Sequence, residues 1–317
     1  MSTNIAEHIA SKMGYPQLME LLGEELSGTA LNSLLLAVFN QRMATQAPTS
    51  LLKQYAQNRL VKPAAVNVLR LKTQELATLQ FFCSQRFEPI ELSPVAQLGT
   101  CSVFGITNQQ KVLTALRNSE VQADATNSLA LHYAFLKKNN VKMFGTHRFA
   151  TVNRLLRTPL TEIEGHTPHF SIGCLVTAGV DTGSFEFEKL ALYEHLSTHA
   201  QLLKNIYQCK EVSFSIIPLN LDGNGERMLE FCLAHLKAQM PGFEISVKAN
   251  NPTQNYYQGL QVKTHIQING AQIDIGDGGF VDWSQQLLGN KKERMFTSAI
   301  GIQYLHVLLG DLWKQEG

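Results

Sequence analysis

The sequence lacks the features that define several large protein classes. Its 317 residues carry 27 basic and 26 acidic side chains, which gives a formal net charge of +1. No bulk charge therefore indicates a nucleic-acid partner or a membrane surface. No apolar run reaches the roughly 18 residues of a membrane-spanning helix, and the N-terminus lacks the basic-then-apolar pattern of a signal peptide. We expect a protein of the cytoplasm.

Metal-binding and nucleotide-binding motifs are missing as well. The five cysteines are scattered without a CxxC pair, so neither a disulfide framework nor a thiolate zinc site is predicted. The absence of GxGxxG and GxxxxGK[ST] argues against a Rossmann domain and a P-loop. His195 and His199 lie four residues apart on a predicted helix, but no HExxH pattern accompanies them. We interpret them as solvent-facing side chains and predict no metal site.

Helices and strands alternate along the chain in an order that divides it into two parts. Residues 1–64 are predicted to form short helices, and the Lys62-Pro63 break ends this N-terminal helical segment. Residues 65–317 are predicted to form a second domain, which begins with a helix over residues 66–85. Further helices are predicted at 124–138, 190–206, 225–239 and 298–313.

Paired strands occur between these helices. Extended segments are predicted at residues 148–156 and 170–178. A hairpin with a type I′ turn at Asn269-Gly270 is predicted from alternating apolar residues on both sides of that dipeptide. Because the strands do not follow a βαβ rhythm, the pattern favours an α+β fold with a largely antiparallel sheet.

Three short segments carry recognisable patterns. RFEPIELSP at residues 86–94 follows a predicted helix, NRLLRTP at residues 153–159 precedes a loop and His169-Phe170, and SAIGIQYL occupies residues 298–305. In this order they are similar to motifs 1, 2 and 3 of class II aminoacyl-tRNA synthetases. Motif 1 builds the dimer interface in that class, so the resemblance implies a homodimer.

Three further segments lie among these motifs: ADATNSLA at residues 123–130, NYYQGL at 255–260 and GGFVD at 278–282. They are similar to segments around the amino-acid pocket of histidyl-tRNA synthetases. The chain thus resembles the histidyl-tRNA synthetase family and its non-synthetase relative, the regulatory subunit of ATP phosphoribosyltransferase. The resemblance implies a class II synthetase-like antiparallel sheet flanked by helices, preceded here by the N-terminal helical segment.

The resemblance also implies two sets of binding residues. Arg154, Arg157 and Phe170 would bind a nucleotide, since a guanidinium can hold a phosphate and an aromatic ring can stack on adenine. Arg148 is an alternative to the two motif 2 arginines. The residues expected around an amino acid or another carboxylate are Asp124, Thr126, Tyr256, Tyr257, Gly278 and Gly279. ATP with Mg²⁺ is the implied cofactor, and no catalytic residue is assigned.

The sequence departs from the synthetase pattern where the chemistry takes place. Tyr304 stands where motif 3 has an arginine, and Gln303 replaces the acidic residue before it. Leu156 replaces the motif 2 glutamate, and Pro252 replaces an arginine of the histidine-binding signature. A tyrosine is neutral at pH 7 and cannot replace a guanidinium. Conventional histidine activation and tRNA binding are therefore not expected.

Two hypotheses about function remain. The first is a histidyl-tRNA-synthetase-like paralogue that binds a nucleotide, an amino acid or both without charging tRNA, as a regulatory or partner subunit. The second is an ATP-dependent ligase that activates a carboxylate or amino acid as an adenylate. An RNA-binding scaffold is disfavoured by the near-neutral charge.

Overall fold

The computed structural model describes residues 5–139, 143–160, 166–219, 222–249 and 255–310. Pro252, residues 161–165 of the motif 2 loop and the predicted helix end near Trp313 lie outside them. The helices are α1 (Ile5–Lys12), α2 (Leu18–Glu20), α3 (Gly28–Ala44), α4 (Pro48–Gln57), α5 (Val68–Ser84), α6 (Ala125–Asn139), α7 (Glu186–Gln201), α8 (Gly223–Gln239), α9 (Trp283–Leu288) and α10 (Ile302–Leu309). The strands are β1 (Glu88–Pro89), β2 (Val95–Gln97), β3 (Thr114–Ala115), β4 (Ser119–Val121), β5 (His147–Leu156), β6 (His169–Val180), β7 (Val212–Leu219), β8 (Glu244–Val247), β9 (Gln258–Ile268), β10 (Ala271–Val281) and β11 (Glu293–Ile300).

An eight-stranded sheet organises the chain, in the order β1-β5-β6-β11-β10-β9-β7-β8. The pairs from β5 to β7 are antiparallel, whereas β1 runs parallel to β5 and β8 runs parallel to β7. A separate small sheet has the order β2-β4-β3. The predicted α+β fold with a largely antiparallel sheet flanked by helices is confirmed.

The predicted hairpin is formed by β9 and β10. Asn269 and Gly270 have φ angles of 52° and 79°, as the two central residues of a type I′ turn require. Ala271 pairs with Ile268 beside the turn, and the pairing continues along both strands with register shifts between Asp274 and Gly276 and between Gly279 and Phe280.

Helices cover the two faces of the large sheet unequally. On one face, α5, α7, α8 and α10 bury a large core whose members include Phe82, Leu196, Phe296 and Leu305. On the other face, α6 and α9 bury a smaller core around Tyr133 and other residues. Because successive strand residues point to opposite faces, β5, β6, β7, β10 and β11 contribute to both cores.

The predicted helix over residues 298–313 begins too early. Ser298 lies in β11, and α10 starts at Ile302 with Gly301 at its N-cap. Both faces of β11 are buried, so its sequence lacks the alternation that identifies a half-exposed strand. A short apolar run of this kind cannot be distinguished from a buried helix by periodicity.

The N-terminal helices expose an unusual amount of apolar surface. Helix α3 has only one charged side chain, Arg42, but none of its residues is buried. Its apolar side chains Leu34 and Phe39 are 46% and 50% exposed. Its contacts with the rest of the chain include polar ones, since the Asn32 side chain accepts from the Arg117 backbone N–H and donates to Asn118. A helix that is apolar on all sides is normally buried.

His195 and His199 are buried, and the solvent-facing interpretation is wrong. Their exposed fractions are 0% and 1%, because α7 turns this side toward the sheet. Ser298 Oγ lies 2.7 Å from His195 Nδ1 and 3.1 Å from His199 Nε2. Thr177 and Thr264 contact the remaining ring nitrogens at 2.9 and 3.1 Å. The two imidazoles are therefore satisfied by hydroxyl groups inside the protein.

This burial predicts a loss of stability in mild acid. Burial lowers the pKa of His199 to about 4 and lowers that of His195 as well. An unfolded chain binds protons near pH 6.5, whereas the folded protein does not, so stability is full above that pH and falls as the pH drops toward 4. Each histidine should contribute a slope of about 1.4 kcal/mol per pH unit.

Urea unfolding between pH 7.5 and 5 measures this slope. His199→Gln should remove one histidine's share of it, and His8→Gln, at an exposed position, should leave it unchanged. Parallel curves for wild type and H199Q would contradict the prediction.

Candidate functional site

A cavity of about 690 Å³ lies over the part of the sheet that α6 and α9 leave uncovered. Its floor is built from β6, β11 and β10, where Asp277, Ala299 and Cys174 form one row across the paired strands. Segments 123–126, 155–160, 166–168 and 256–257 surround this floor. A volume of this size is typical of a site for a small molecule.

Asp124 is held at the start of α6 by a fixed set of donors. Its Oδ1 accepts from the backbone N–H of Thr126 at 2.9 Å and from the Thr126 hydroxyl at 2.7 Å. Its Oδ2 accepts from the hydroxyl of Tyr256 at 2.6 Å. Three of the predicted pocket residues therefore form one network on the cavity wall. A carboxylate in this position can also accept from a cationic ligand group.

The two tyrosines pack against each other beside Asp124. The rings of Tyr256 and Tyr257 meet edge to face with centroids 4.8 Å apart, and Tyr256 also contacts Trp283 at 5.4 Å. Burial, followed by nearby carboxylates, raises the pKa of both hydroxyls well above the ordinary value. Both therefore remain neutral at physiological pH and serve as hydrogen-bonding and packing groups.

Gly278 and Gly279 lie behind the cavity wall, outside its lining. A Cβ on Gly279 would lie 2.6 Å from the Tyr257 ring and 2.6 Å from the Leu260 carbonyl oxygen. A Cβ on Gly278 would lie 2.8 Å from Cβ of Ser298. The glycines thus make room for protein side chains, whereas the sequence predicted close approach of a ligand.

Arg157 and Phe170 lie together in the cavity. The Arg157 guanidinium carbon is 5.6 Å from the centre of the Phe170 ring, its Nε donates to the Ala123 carbonyl at 3.0 Å, and its Nη2 is 3.9 Å from Asp124. This side chain is half exposed. A positive charge beside an aromatic ring suits a ligand that is both flat and anionic.

Arg154 lies elsewhere, on the helix-covered face of the sheet. Its neighbour Leu155 lines the cavity, and strand alternation turns Arg154 to the opposite side. There its guanidinium is 2.9 Å from His169 Nδ1, while His169 Nε2 is 2.6 Å from the Lys62 carbonyl oxygen. Arg148 pairs with Glu194 on the same face. Neither arginine lies in the cavity wall, unlike Arg157.

A second charged group in the cavity, which consists of Asp277 and Lys263, was not predicted from the sequence. Asp277 accepts from the Gln261 amide at 3.0 Å and lies 3.5 Å from the Lys263 ammonium. Burial raises the pKa of Asp277, and Lys263 partly offsets that effect. Lys263 is among the polar residues that alternate along the predicted hairpin, but Asp277 follows that hairpin, and the pairing of β9 with β10 was needed to bring the two together.

The start of α10 forms an aromatic part of the wall. The Tyr304 ring meets His166 edge to face at 4.8 Å. Gln303 is buried and donates to the Thr167 hydroxyl at 3.1 Å. Among the described residues, no group of three or more His, Cys, Asp or Glu side chains could hold a metal ion.

Solved structures share this architecture. The ATP phosphoribosyltransferase regulatory subunit/histidyl-tRNA synthetase from Bacillus halodurans C aligns with a TM-score of 0.63 at 10% identity, covering 80% of this chain and 82% of that one. Histidyl-tRNA synthetase from S. aureus gives 0.61 at 10% identity, with coverages of 80% and 74%. The enzyme from Nostoc sp. PCC 7120 gives 0.57 at 15% identity, with coverages of 79% and 74%. The sequence matches no protein-family model and no curated protein.

These similarities define the fold as that of a class II aminoacyl-tRNA synthetase-like core. Segments resembling motifs 2 and 3 occupy β5, β6, β11 and α10 at the cavity. In the part of the chain that the structure describes, no helix is both long and apolar enough to cross a membrane.

The packing of Tyr257 predicts that Gly279→Ala destabilises the protein. The added methyl group would overlap the tyrosine ring and a backbone oxygen, and such overpacking costs about 1–3 kcal/mol. Urea unfolding measures the change. Gly242→Ala is the matched control, since a Cβ there meets nothing within 4 Å. Equal stabilities of the two variants would show that Tyr257 does not require this glycine.

Proposed function

We propose that this chain is a histidyl-tRNA-synthetase-like paralogue that binds an amino acid, a nucleotide or both without charging tRNA. It would act as a regulatory or partner subunit. The fold shared with a structure described as a regulatory subunit supports the proposal. The cavity supports it further, since Asp124 and its donors suit an ammonium group, while Arg157 and Phe170 suit an anionic, aromatic ligand.

Tyr304 carries the argument against tRNA charging. It lines the cavity at the start of α10, where synthetases place the arginine for the ATP γ-phosphate, and it packs on His166. The uncharged hydroxyl offers neither the positive charge nor the paired donors of a guanidinium. A triphosphate would thus lose a contact that stabilises it during adenylate formation.

The alternative is an ATP-dependent ligase that forms an adenylate. Arg157 favours it, because this guanidinium could stabilise the charge on the α-phosphate as the carboxylate attacks. ATP would then bind with Mg²⁺, and pyrophosphate would leave. The two hypotheses differ in turnover, since only the ligase releases pyrophosphate.

Binding without turnover is the expected result. Purified protein mixed with ATP, Mg²⁺ and each of the twenty L-amino acids should release no pyrophosphate, while titration calorimetry should detect an amino-acid ligand. Asp124→Asn should weaken that binding at least tenfold, because the acceptor for the ammonium loses its charge. Asp282→Asn, outside the cavity lining, should leave the affinity unchanged. Pyrophosphate release with any amino acid would establish the ligase instead.

We further propose that the chain forms a homodimer whose interface includes the N-terminal helices. Leu34, Phe39 and Met43 on α3 are each about half exposed, at 46%, 50% and 55%. Leu51 and Leu52 on α4 are exposed by 58% and 68%. Apolar surface of this extent usually marks an interface. Because α3 is almost uncharged, a second copy can pack on it without repulsion between like charges.

Two charges on α3 should dissociate this dimer. In size-exclusion chromatography with light scattering, wild type should have the mass of two chains, and Leu34→Asp/Phe39→Asp the mass of one. Burying the carboxylates would cost several kcal/mol, enough to raise the dissociation constant at least a hundredfold. Asn40→Asp, exposed on the same helix, tests the added charge alone. A wild-type monomer, or a dimer in the double variant, would contradict the proposal.

A further inference from the structure

The floor of the cavity carries a second carboxylate, at the other end from Asp124. Asp277 on β10, Ala299 on β11 and Cys174 on β6 are partners in one row across three paired strands. Two strand spacings, roughly 10 Å, therefore separate Asp277 from Cys174. Cys174 packs in one cluster with Ala125, the residue that follows Asp124. The cavity thus has one carboxylate near each end of its floor.

Asp277 faces the cavity more openly than its cationic neighbour. Its side chain is 40% exposed, against 28% for Lys263, and the two charged groups are 3.5 Å apart. The Gln261 amide and the Gly278 backbone N–H donate to Oδ1 at 3.0 and 2.9 Å, but both donors are neutral. Burial raises the pKa of Asp277 in spite of these contacts. This carboxylate is thus open to the cavity, enclosed by protein, and only partly compensated by its neighbours.

The charged side chains in the lining differ between the two ends of the cavity. At one end, the carboxylates of Asp274 and Asp277 accompany the single ammonium of Lys263. At the other end, Arg157 and Lys111 supply two cations, and the Lys111 carbonyl accepts from the N–H of the residue after Arg157 at 3.3 Å. A ligand that is anionic near Arg157 and cationic at Asp277 matches this distribution.

Small side chains line the floor between the two carboxylates. Ala299 and Cys174 leave space above the sheet, and the Tyr257 ring borders that space. Burial, followed by Asp277 and Asp124, raises the pKa of the Tyr257 hydroxyl, so both carboxylates act on this one group. An unbranched aliphatic chain can therefore lie along the floor with a polar group at each end.

We propose that the cavity selects an amino acid with a cationic side chain, such as lysine or ornithine, and that Asp277 is the residue that selects it. The inference rests on the amino-acid binding proposed above. Asp124 would accept from the α-ammonium group, Arg157 would face the carboxylate, and Asp277 would accept from the side-chain ammonium. The four-carbon stem of lysine, with a hydrogen bond at each end, spans a distance of the order that separates the two carboxylates.

Calorimetry with matched ligands tests this selection on the unaltered protein. L-Lysine or L-ornithine should bind at least tenfold more tightly than L-norleucine and L-norvaline, which have the same stems without the terminal ammonium. Equal affinities, or tighter binding of L-glutamate through Lys263, would overturn this inference and leave the proposed function standing. Failure of all twenty amino acids to bind would overturn both this inference and the amino-acid binding on which it rests.

Variants distinguish the roles of the two carboxylates. Asp277→Asn should reduce the preference for lysine over norleucine to about twofold or less and leave norleucine binding unchanged, because only the side-chain contact loses its charge. Asp124→Asn should weaken both ligands alike. Asp282→Asn, outside the cavity lining, should keep the preference. Equal weakening of both ligands in D277N would indicate a structural role and overturn the inference.

Lys263→Met tests the other member of the ion pair. This change frees Asp277 from its cationic neighbour, so the affinity for lysine should stay the same or rise. A fall in lysine affinity would show that Lys263 holds the ligand and would overturn the inference.

Discussion

The unequal covering of the sheet is the constraint on which the rest of the structure depends. Helices α5, α7, α8 and α10 close one face with a continuous core, in which Phe296 and Leu305 are fully buried. In the part of the chain that the structure describes, α6, α9 and the segments near them cover the other face. Burying apolar surface on the first face stabilises the sheet. The second face therefore need not be fully covered by helices, and its uncovered part forms the floor of the cavity.

Strand alternation then decides which polar groups reach that cavity. On β5, Leu155 faces the cavity and Arg154 faces the helices, while Arg157 lies beyond the strand end and reaches the cavity from the loop. On β11, Thr297 faces the cavity side, and Ser298 lies among the buried histidines of α7. A shift of one residue in register would exchange these roles. The chemistry of the cavity is thus set by strand register as much as by residue type.

Much of the fold could be predicted because its signals are local. The helices at 66–85, 124–138 and 225–239 and the hairpin at Asn269-Gly270 carry periodicity or turn residues that identify them directly. The start of α10 could not be located, since β11 is buried on both faces. The sequence also could not show that α7 faces the sheet through His195 and His199, because a histidine is compatible with either side of a helix.

The candidate site shows the same division between local and long-range information. Asp124 and Thr126 are two residues apart at a helix start, so their association follows from the local sequence. Their link to Tyr256, and that of Lys263 to Asp277, depends on contacts between distant segments. Resemblance to a family supplied the first of these links. It gave no indication of the second.

The N-terminal segment and the cavity share one loop. The Arg59 guanidinium donates to the Thr158 carbonyl at one end of the motif 2-like loop. At the other end, His169 Nε2 lies 2.6 Å from the Lys62 carbonyl oxygen, so this nitrogen must carry the proton. His169 Nδ1 is then free to accept from Arg154. Arg154, at a position that resembles a phosphate ligand, thus holds His169, and His169 in turn joins the segment that borders the cavity to the N-terminal helices.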